Sequence, residues 1–346
     1  MATHNDLARA YLTLGYHYIR QPAQKDPFPR VKGSTWSDFG AHLRMIQKYF
    51  NIISLDDVLR FHRNEIELSL TKPNILLTFD DGLEEHCRVA QILAECKIQA
   101  VFFIPTCLLT DRVPINTTIL HYSLARYGLT IFLDAFHKAL IAHGLKNEDY
   151  PLYFAKGIDN PPDKIVEIKK TFKYGLSYEN SQGIIMHIYQ ALLLKDYPNA
   201  FELMHIDEDK AKKIVDFGHN IGAHTHSHIS VGSTDLSDDA FQKEIIHSKN
   251  ILESKLGVKV ESISYPFGEK RDYDSIEEKI RKMGTYQAGF TAEPSLNTKE
   301  TSPLKIGRYL PLKADTSDIL FDKLKSLQMG KEILWKYWEL ARTSKS

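Results

Sequence analysis

Cysteine is scarce. Cys87, Cys96 and Cys107 form no CxxC pair and are odd in number, so free thiols in a reducing compartment are the simplest reading. No apolar run approaches the ~18 residues a membrane-spanning helix needs, and no span is expected. A charge bias is missing too: Lys plus Arg and Asp plus Glu both number 44, for a formal net charge of +0. That excludes broad attraction to nucleic acid or anionic membrane. Residues 1–24 lack the basic stretch and apolar core of a secretory leader, so the cytoplasm is the expected location. Internal repeats, low-complexity tracts and long charge runs are absent as well. What remains is 43% hydrophobic and 25% charged, enough for a full globular core. At ~150 residues per domain, 346 residues predict two domains or one barrel with an insertion.

The chain is organised around Asn74-Ile-Leu-Leu-Thr-Phe-Asp80-Asp81-Gly82. Its apolar, β-branched run reads as a strand buried on both faces, as in a parallel sheet flanked by helices. The two carboxylates then fall at the carboxyl end, where such sheets place their chemistry. Neighbouring side chains of a strand face opposite ways, so Asp80 and Asp81 can hold different jobs. An ordinary strand ending in an Asp-Gly turn would look the same. The second motif separates these readings.

That motif is Ile221-Gly-Ala-His224-Thr-His226-Ser-His228. On a helical turn His224 and His228 share one face and can grip one ion. Imidazole and carboxylate together suit zinc and its first-row neighbours. Three imidazoles so close are hard to explain as packing, because each buried ring nitrogen needs its own partner. His226 falls off the shared face and reads as structural.

Thr78-Phe79-Asp80-Asp81-Gly82 and His224-Thr-His-Ser-His228 resemble the first two motifs of the polysaccharide deacetylase family, the NodB-homology carbohydrate esterases of family 4. Ser264-Tyr265-Pro266-Phe267-Gly268 is similar to the third. Fainter similarity runs through residues 15–19, 39–57, 100–105 and 289–310, most of the chain outside 111–203. Three motifs in the family's order are far more specific than one. The resemblance implies an α/β fold, a distorted (β/α)7-type barrel built from residues 1–110 and 204–312. A helical insertion, 111–203, would sit on its catalytic face, and 313–346 would form a C-terminal helical segment.

The residue pattern agrees with alternating strands and helices. Strands are expected at 12–19, 51–54, 99–105, before His224, and at 260–265, 286–291 and 305–310. Helices are expected at 36–50, from 56, and at 84–95, 207–217, 238–256, 274–283 and 318–342, the last holding Trp335 and Trp338. Within the insertion, helices are expected at 130–143, 162–174 and 178–194, with a loop at 150–162. Barrel loops on the catalytic side carry specificity, so the insertion reads as a lid or pocket wall ahead of padding or a dimer contact.

Amide hydrolysis wants a Lewis acid, a base for the water's proton and a donor for the oxyanion. The resemblance assigns Asp81, His224 and His228 to a divalent metal, zinc first, with Co2+, Ni2+ or Mn2+ as alternatives. It makes Asp80 the base, kept anionic yet able to accept a proton near neutral pH, and the backbone N–H of Phe267 an oxyanion donor. Two departures stand out. The arginine that usually opens the third motif, and braces the base, is Ser264 here, a side chain expected to be too short for that work. The family's late leucine motif with an acidic-step histidine has no match, and no histidine follows Gly268. His17, at the end of the first strand, is the leading replacement for the acid, ahead of His226. Arg308, in Ile306-Gly-Arg-Tyr309, is the candidate brace of Asp80. The remaining histidines, among them His86, His121 and His205, are scattered without ligand spacing and read as surface or satisfied core residues.

The expected activity is metal-dependent removal of an N-acetyl or similar acyl group from an acetamido sugar, with a nucleotide- or lipid-linked glycan intermediate as the expected partner. Alternatives are hydrolysis of another C–N bond, in a cyclic ureide, imide or formamido sugar, and a degenerate metal-containing binding protein. The missing acid histidine favours the last. A homo-oligomer is left open. A glycosidase is disfavoured, since adjacent strand carboxylates diverge while glycosidases need two facing one bond from ~5 Å or more.

Overall fold

The computed structural model describes residues 9–20, 26–69, 71–146 and 161–329, with backbone alone at 161–163. Trp335, Trp338 and most of the 150–162 loop lie outside the described residues.

In chain order the elements are β1 (Ala10–Tyr16), α1 (Trp36–Tyr49), β2 (Asn51–Ile52), α2 (Leu55–His62), β3 (Asn74–Phe79), α3 (His86–Glu95) and β4 (Val101–Ile104). The insertion then contributes α4 (Asn116–Ala142), α5 (Pro161–Lys170) and α6 (Tyr178–Ile188). The barrel resumes with α7 (Glu208–Asp216), β5 (Asn220–Ala223), α8 (Ser248–Leu256), β6 (Ser262–Ser264), α9 (Glu277–Met283), β7 (Ala288–Phe290), β8 (Asn297–Thr298) and α10 (Ser317–Gln328). The first helix is capped by Thr35, two residues before the Ser37 that its periodicity suggested. Thr35 with Asp38, and Ser54 with Asp57, each form a reciprocal capping box, satisfying amides that would otherwise lack partners.

The sheet runs β7-β6-β5-β4-β3-β1-β8, parallel except for the short β8, which pairs antiparallel with the start of β1. Closure comes from residues 306–309. Tyr309 bridges Leu14 of β1, and Ile306 bridges Phe290 of β7. Hydrogen bonds from Gly15 N to Tyr309 O (2.9 Å) and from Ile306 N to Gly289 O (2.8 Å) fasten both sides. This segment was expected as a regular strand at 305–310. It is instead a pair of isolated bridges, one to each edge of the ring. The result is the distorted barrel expected from the sequence.

Strand alternation sorts the core into two sides. Ile75, Leu77 and Phe79 join Phe102, Ile104, Leu12 and Leu14 in the cluster beneath the helices. Leu76 instead joins Val101, Phe103, Phe290 and Ile306, together with Val58 and Phe61 of α2. Continuing the inward line from Leu76 gives Thr78 and then Asp80. The register of β3 therefore delivers Asp80 to the barrel mouth.

The insertion packs a separate apolar cluster that includes Phe132, Phe136, Ile168, Ile184 and Ile188. Its first helix starts earlier than expected and is one kinked element, 116–142, broken at Gly128 (φ 78°). The helices expected at 162–174 and 178–194 are present, each ending in a π-helical turn, Thr171–Gly175 and Tyr189–Leu194. No described helix is long and apolar enough to cross a membrane.

Candidate active site

Apart from Arg308, which lies in the closing segment between its two bridges, every sequence-predicted site residue lies at the carboxyl end of a barrel strand or in the loop after it, and the chain bends sharply to put them there. Positive φ marks Asp81 (78°), Thr225 (60°), His228 (55°) and Phe267 (65°). Such values are uncommon for residues other than glycine and cluster where function holds strain in place. The His224–His228 spacing works through this left-handed loop, not through the helical turn expected from it. Asp81 likewise leaves the strand through its own left-handed turn, so it joins Asp80 at the mouth although strand alternation alone would have separated them. Gly82 (φ 54°) completes that turn, and a Cβ there would stand 2.8 Å from Leu108 Cδ1.

Asp81, His224 and His228 offer ligand atoms that all lie within 4.8 Å of one another. The Nε2 atoms of His224 and His228 approach Asp81 Oδ1 to 3.3 and 3.1 Å. All three side chains are buried, yet Asp81 Oδ1 has no hydrogen-bond partner. A buried carboxylate oxygen in that condition costs stability unless something else satisfies it. His224 Nδ1–H donates to Ser264 O at 2.7 Å, which turns the Nε2 lone pair toward Asp81. One carboxylate and two imidazoles with converging, unshared lone pairs fit a divalent cation. Burial pushes the Asp81 carboxyl up, but His228 and His224 outweigh it and hold the group well below the usual carboxylate range.

Asp80 is gripped from the side. Arg308 Nη1 and Nη2 donate to its Oδ1 and Oδ2 at 2.8 and 2.7 Å, the two-pronged geometry a carboxylate prefers. The other guanidinium donors go to Thr291 O (2.8 Å), Thr78 Oγ1 (3.1 Å) and Ser264 Oγ (2.8 Å). All five N–H groups of the side chain are thus placed, although Arg308 is only 1% exposed. Ser264, expected to be too short to help, donates to Asp80 Oδ2 at 3.2 Å. It reaches because the closed barrel brings the end of β6 against Asp80. Burial raises the Asp80 carboxyl, but Arg308 leads the charges that outweigh it and hold the group at about 2. The fork thus keeps Asp80 anionic and also weakens its proton affinity. Arg308→Lys should keep the charge and lose the fork: we expect turnover to fall about tenfold, with metal affinity little changed. Equal losses in both would contradict a bracing role confined to Asp80.

His17 lies beyond the end of β1, with Nε2 3.9 Å from Asp80 Oδ2 and a side chain 38% exposed. Phe267 packs its ring edge-on to His228, centroids 5.1 Å apart. His226 turns away: its Nδ1 is 2.8 Å from Thr106 Oγ1 and its Nε2 3.5 Å from Asp111 Oδ2.

Several supporting residues carry no sequence signal. His205 donates from Nδ1 toward the carbonyls of Asp81 and Gly82, both at 3.1 Å, and its Nε2 sits 2.7 Å from Thr118 Oγ1. It ties the insertion to the Asp81–Gly82 turn, which isolated spacing could not reveal. Glu244 is fully buried. Its Oε2 accepts from the backbone N–H groups of His226 and Ser227 at 2.9 and 2.8 Å, while Oε1 accepts from Tyr178 at 3.1 Å. Glu244→Ala strands those two amides at a cost of about 1–3 kcal/mol. A lower melting temperature and weaker metal retention against a chelator are expected together. Unchanged metal retention would show that the carboxylate does not hold the His224–His228 loop in place.

The α/β barrel thus carries at its mouth one carboxylate and two imidazoles, a donor set that fits a divalent cation, beside a braced second carboxylate. The polysaccharide deacetylase family model matches residues 180–288, which include the histidine motif and Ser264–Gly268. No curated protein matches the chain. Among solved structures, a Streptococcus pyogenes deacetylase, PplD, in complex with acetate is 15% identical, with a TM-score of 0.56, covering 90% of this chain and 97% of its own. The Bacillus cereus polysaccharide deacetylase BC0361 is 15% identical, with a TM-score of 0.53, covering 91% and 69%. IcaB from Ammonifex degensii is 15% identical, with a TM-score of 0.52, covering 90% and 95%. The family model thus matches about a third of the chain, across its histidine motif and Ser264–Gly268, and the barrel is shared with these solved deacetylases.

Proposed function

We propose that the protein is a metal-dependent hydrolase that removes an N-acetyl group from an amino sugar of a glycan or glycan precursor. The observation that carries this reading is the buried, unpartnered Oδ1 of Asp81 between the two imidazoles, one residue from the braced Asp80. Asp81, His224 and His228 would hold the cation. When bound, it would supply Lewis acidity toward the acetyl oxygen and toward water.

The remaining chemistry belongs to the chain. Asp80 takes the proton of the attacking water. Its carboxyl at about 2 is a weak base by Brønsted standards, so its contribution is position and permanent ionisation more than matched basicity. Arg308 and Ser264 fix its rotamer. The Phe267 N–H, in the left-handed turn beside His228, donates to the developing oxyanion. His17 fills the role left open by the absent late histidine. Its partial exposure lets it exchange protons with solvent, and its nearness to Asp80 lets it pass one to the departing amine. Acetate release from N-acetylated sugar oligomers, measured with and without added metal, tests the reading. No acetate from the metal-loaded protein with any acetamido sugar would reject it, and ammonia or formate in its place would point to a different C–N bond.

A further inference from the structure

The turn that carries Asp81 is held by a short stretch where the insertion returns to the barrel. Met204 buries its side chain in the insertion's apolar cluster, and Ile206 buries its own in the barrel cluster. Between them the backbone runs antiparallel to the residues after Asp81. Glu84 N–H donates to Met204 O and Ile206 N–H to Gly82 O, both at 3.0 Å, and His205 bridges Leu83. His205 is therefore fixed at the seam between the two cores.

Its ring is aimed at the turn itself. Nδ1 stands 3.1 Å from both the Asp81 and the Gly82 carbonyl. Carbonyl oxygens only accept, so the ring proton sits on Nδ1 and the lone pair on Nε2. Thr118 Oγ1, in the first turns of α4, meets Nε2 at 2.7 Å. The same hydroxyl lies 2.8 Å from Ile115 O, but that carbonyl already takes the helical N–H of Ile119 at 3.1 Å. The hydroxyl proton is better used on the ring, whose buried Nε2 would otherwise be orphaned. Two bonds thus run from α4 to the backbone of Asp81, and both side chains in the chain are buried. The adjacent Thr117 places Oγ1 3.5 Å from His228 Nδ1, so one turn of α4 faces two of the three candidate ligands. The Asp81–Gly82 turn needs such support. Both residues have positive φ, 78° and 54°, and a residue other than glycine stays in that region only when its surroundings hold it there.

We propose that Thr118 and His205 are positioning residues of the cation site, so that docking of the insertion and binding of the cation stabilise each other. The proposal rests on Asp81, His224 and His228 as the ligand set and is independent of the sugar. Groups that orient a ligand from behind typically set about 10–100-fold in metal affinity. Here the support reaches Asp81 through its own carbonyl, which fixes the turn and with it the direction of the carboxylate. Such coupling is reciprocal, because two events that favour one conformation raise each other's equilibrium constants equally. An insertion that only covered the mouth would show no such dependence.

Zinc affinity and hydrogen exchange of the full chain test this. In competition with a chelator, His205→Phe, which keeps a ring and removes both nitrogens, should bind Zn2+ at least about tenfold more weakly. Thr118→Val keeps the shape and removes one hydrogen bond, so a loss of about threefold to tenfold is expected. His205→Asn, with an amide donor near the Nδ1 position, should recover most of the affinity lost in His205→Phe. Thr118→Ser should bind like the unmodified chain. Added Zn2+ should slow amide exchange in α4 of the unmodified chain, and less so in Thr118→Val. All comparisons belong below the lowest melting transition. Should His205→Phe fail to fold, Thr118→Val against Thr118→Ser decides. Zinc affinity unchanged in Thr118→Val, a lower melting temperature alone, or exchange in α4 indifferent to Zn2+ would each overturn the proposal while leaving the ligand set standing. No Zn2+ bound by the unmodified chain would reject the ligand set, and the proposal with it.

Discussion

His224→Ala should release the metal and lower acetate production by at least about 10³-fold, the scale of losing several kcal/mol of transition-state stabilisation. The side chain is one of three that converge on a point, and a site with two protein ligands holds a divalent ion poorly. The barrel should survive, because His224 contributes only one hydrogen bond to the scaffold, to Ser264 O. His228→Ala should behave alike. Chelation should reproduce the loss in the unmodified protein, and returning Zn2+ should reverse it. Elemental analysis showing full metal content in both variants would place the ion elsewhere and reject the triangle.

Asp80→Asn should retain the metal and lose at least about 10²-fold in rate, the usual scale for removing a general base. It should also melt earlier. Arg308 is buried and donates to both Asp80 oxygens, and removing one partner of a buried ion pair costs about 3–5 kcal/mol. The amide oxygen still accepts one bond, so the lower end of that range is expected. Rates must therefore be compared well below the variant's melting transition. Activity within a few-fold of the unmodified protein would end the base assignment, while metal loss would move Asp80 into the coordination shell. Read beside Arg308→Lys, the pair separates the carboxylate's chemistry from its bracing.

Much of this site was legible because its chemistry is concentrated in short runs. Asp80-Asp81-Gly82 ends a run of six buried strand residues, and the His224–His228 run sits just after β5. Local sequence is enough to mark such places. Arg308 was legible only conditionally, since its contact with Asp80 requires the ring to close between β7 and β1.

Other features were not legible, for physical reasons. The histidine pair works through positive-φ turns at Thr225 and His228, a conformation that four-residue spacing does not encode. Ser264 serves as part of the brace because β6 ends against Asp80, and side-chain length alone said nothing of that separation. His205 and Glu244 hold the site by bonding to backbone groups distant in sequence. Backbone amides and carbonyls are the same at every position, so such contacts leave no residue pattern.

By itself, then, the sequence determined the strand ends, the two short runs that hold Asp80, Asp81, His224 and His228, and the absence of a histidine after Gly268, because residue type and spacing along one strand or loop decide those. Only the tertiary structure decided what surrounds them. Ring closure carried Arg308 and Ser264 to Asp80, left-handed turns aimed Asp81 and His228 at one point, and packing of the insertion set Lys173 one aromatic ring, that of Phe267, from His228. These are long-range distances, fixed by how buried surfaces fit together and not by any neighbouring residue.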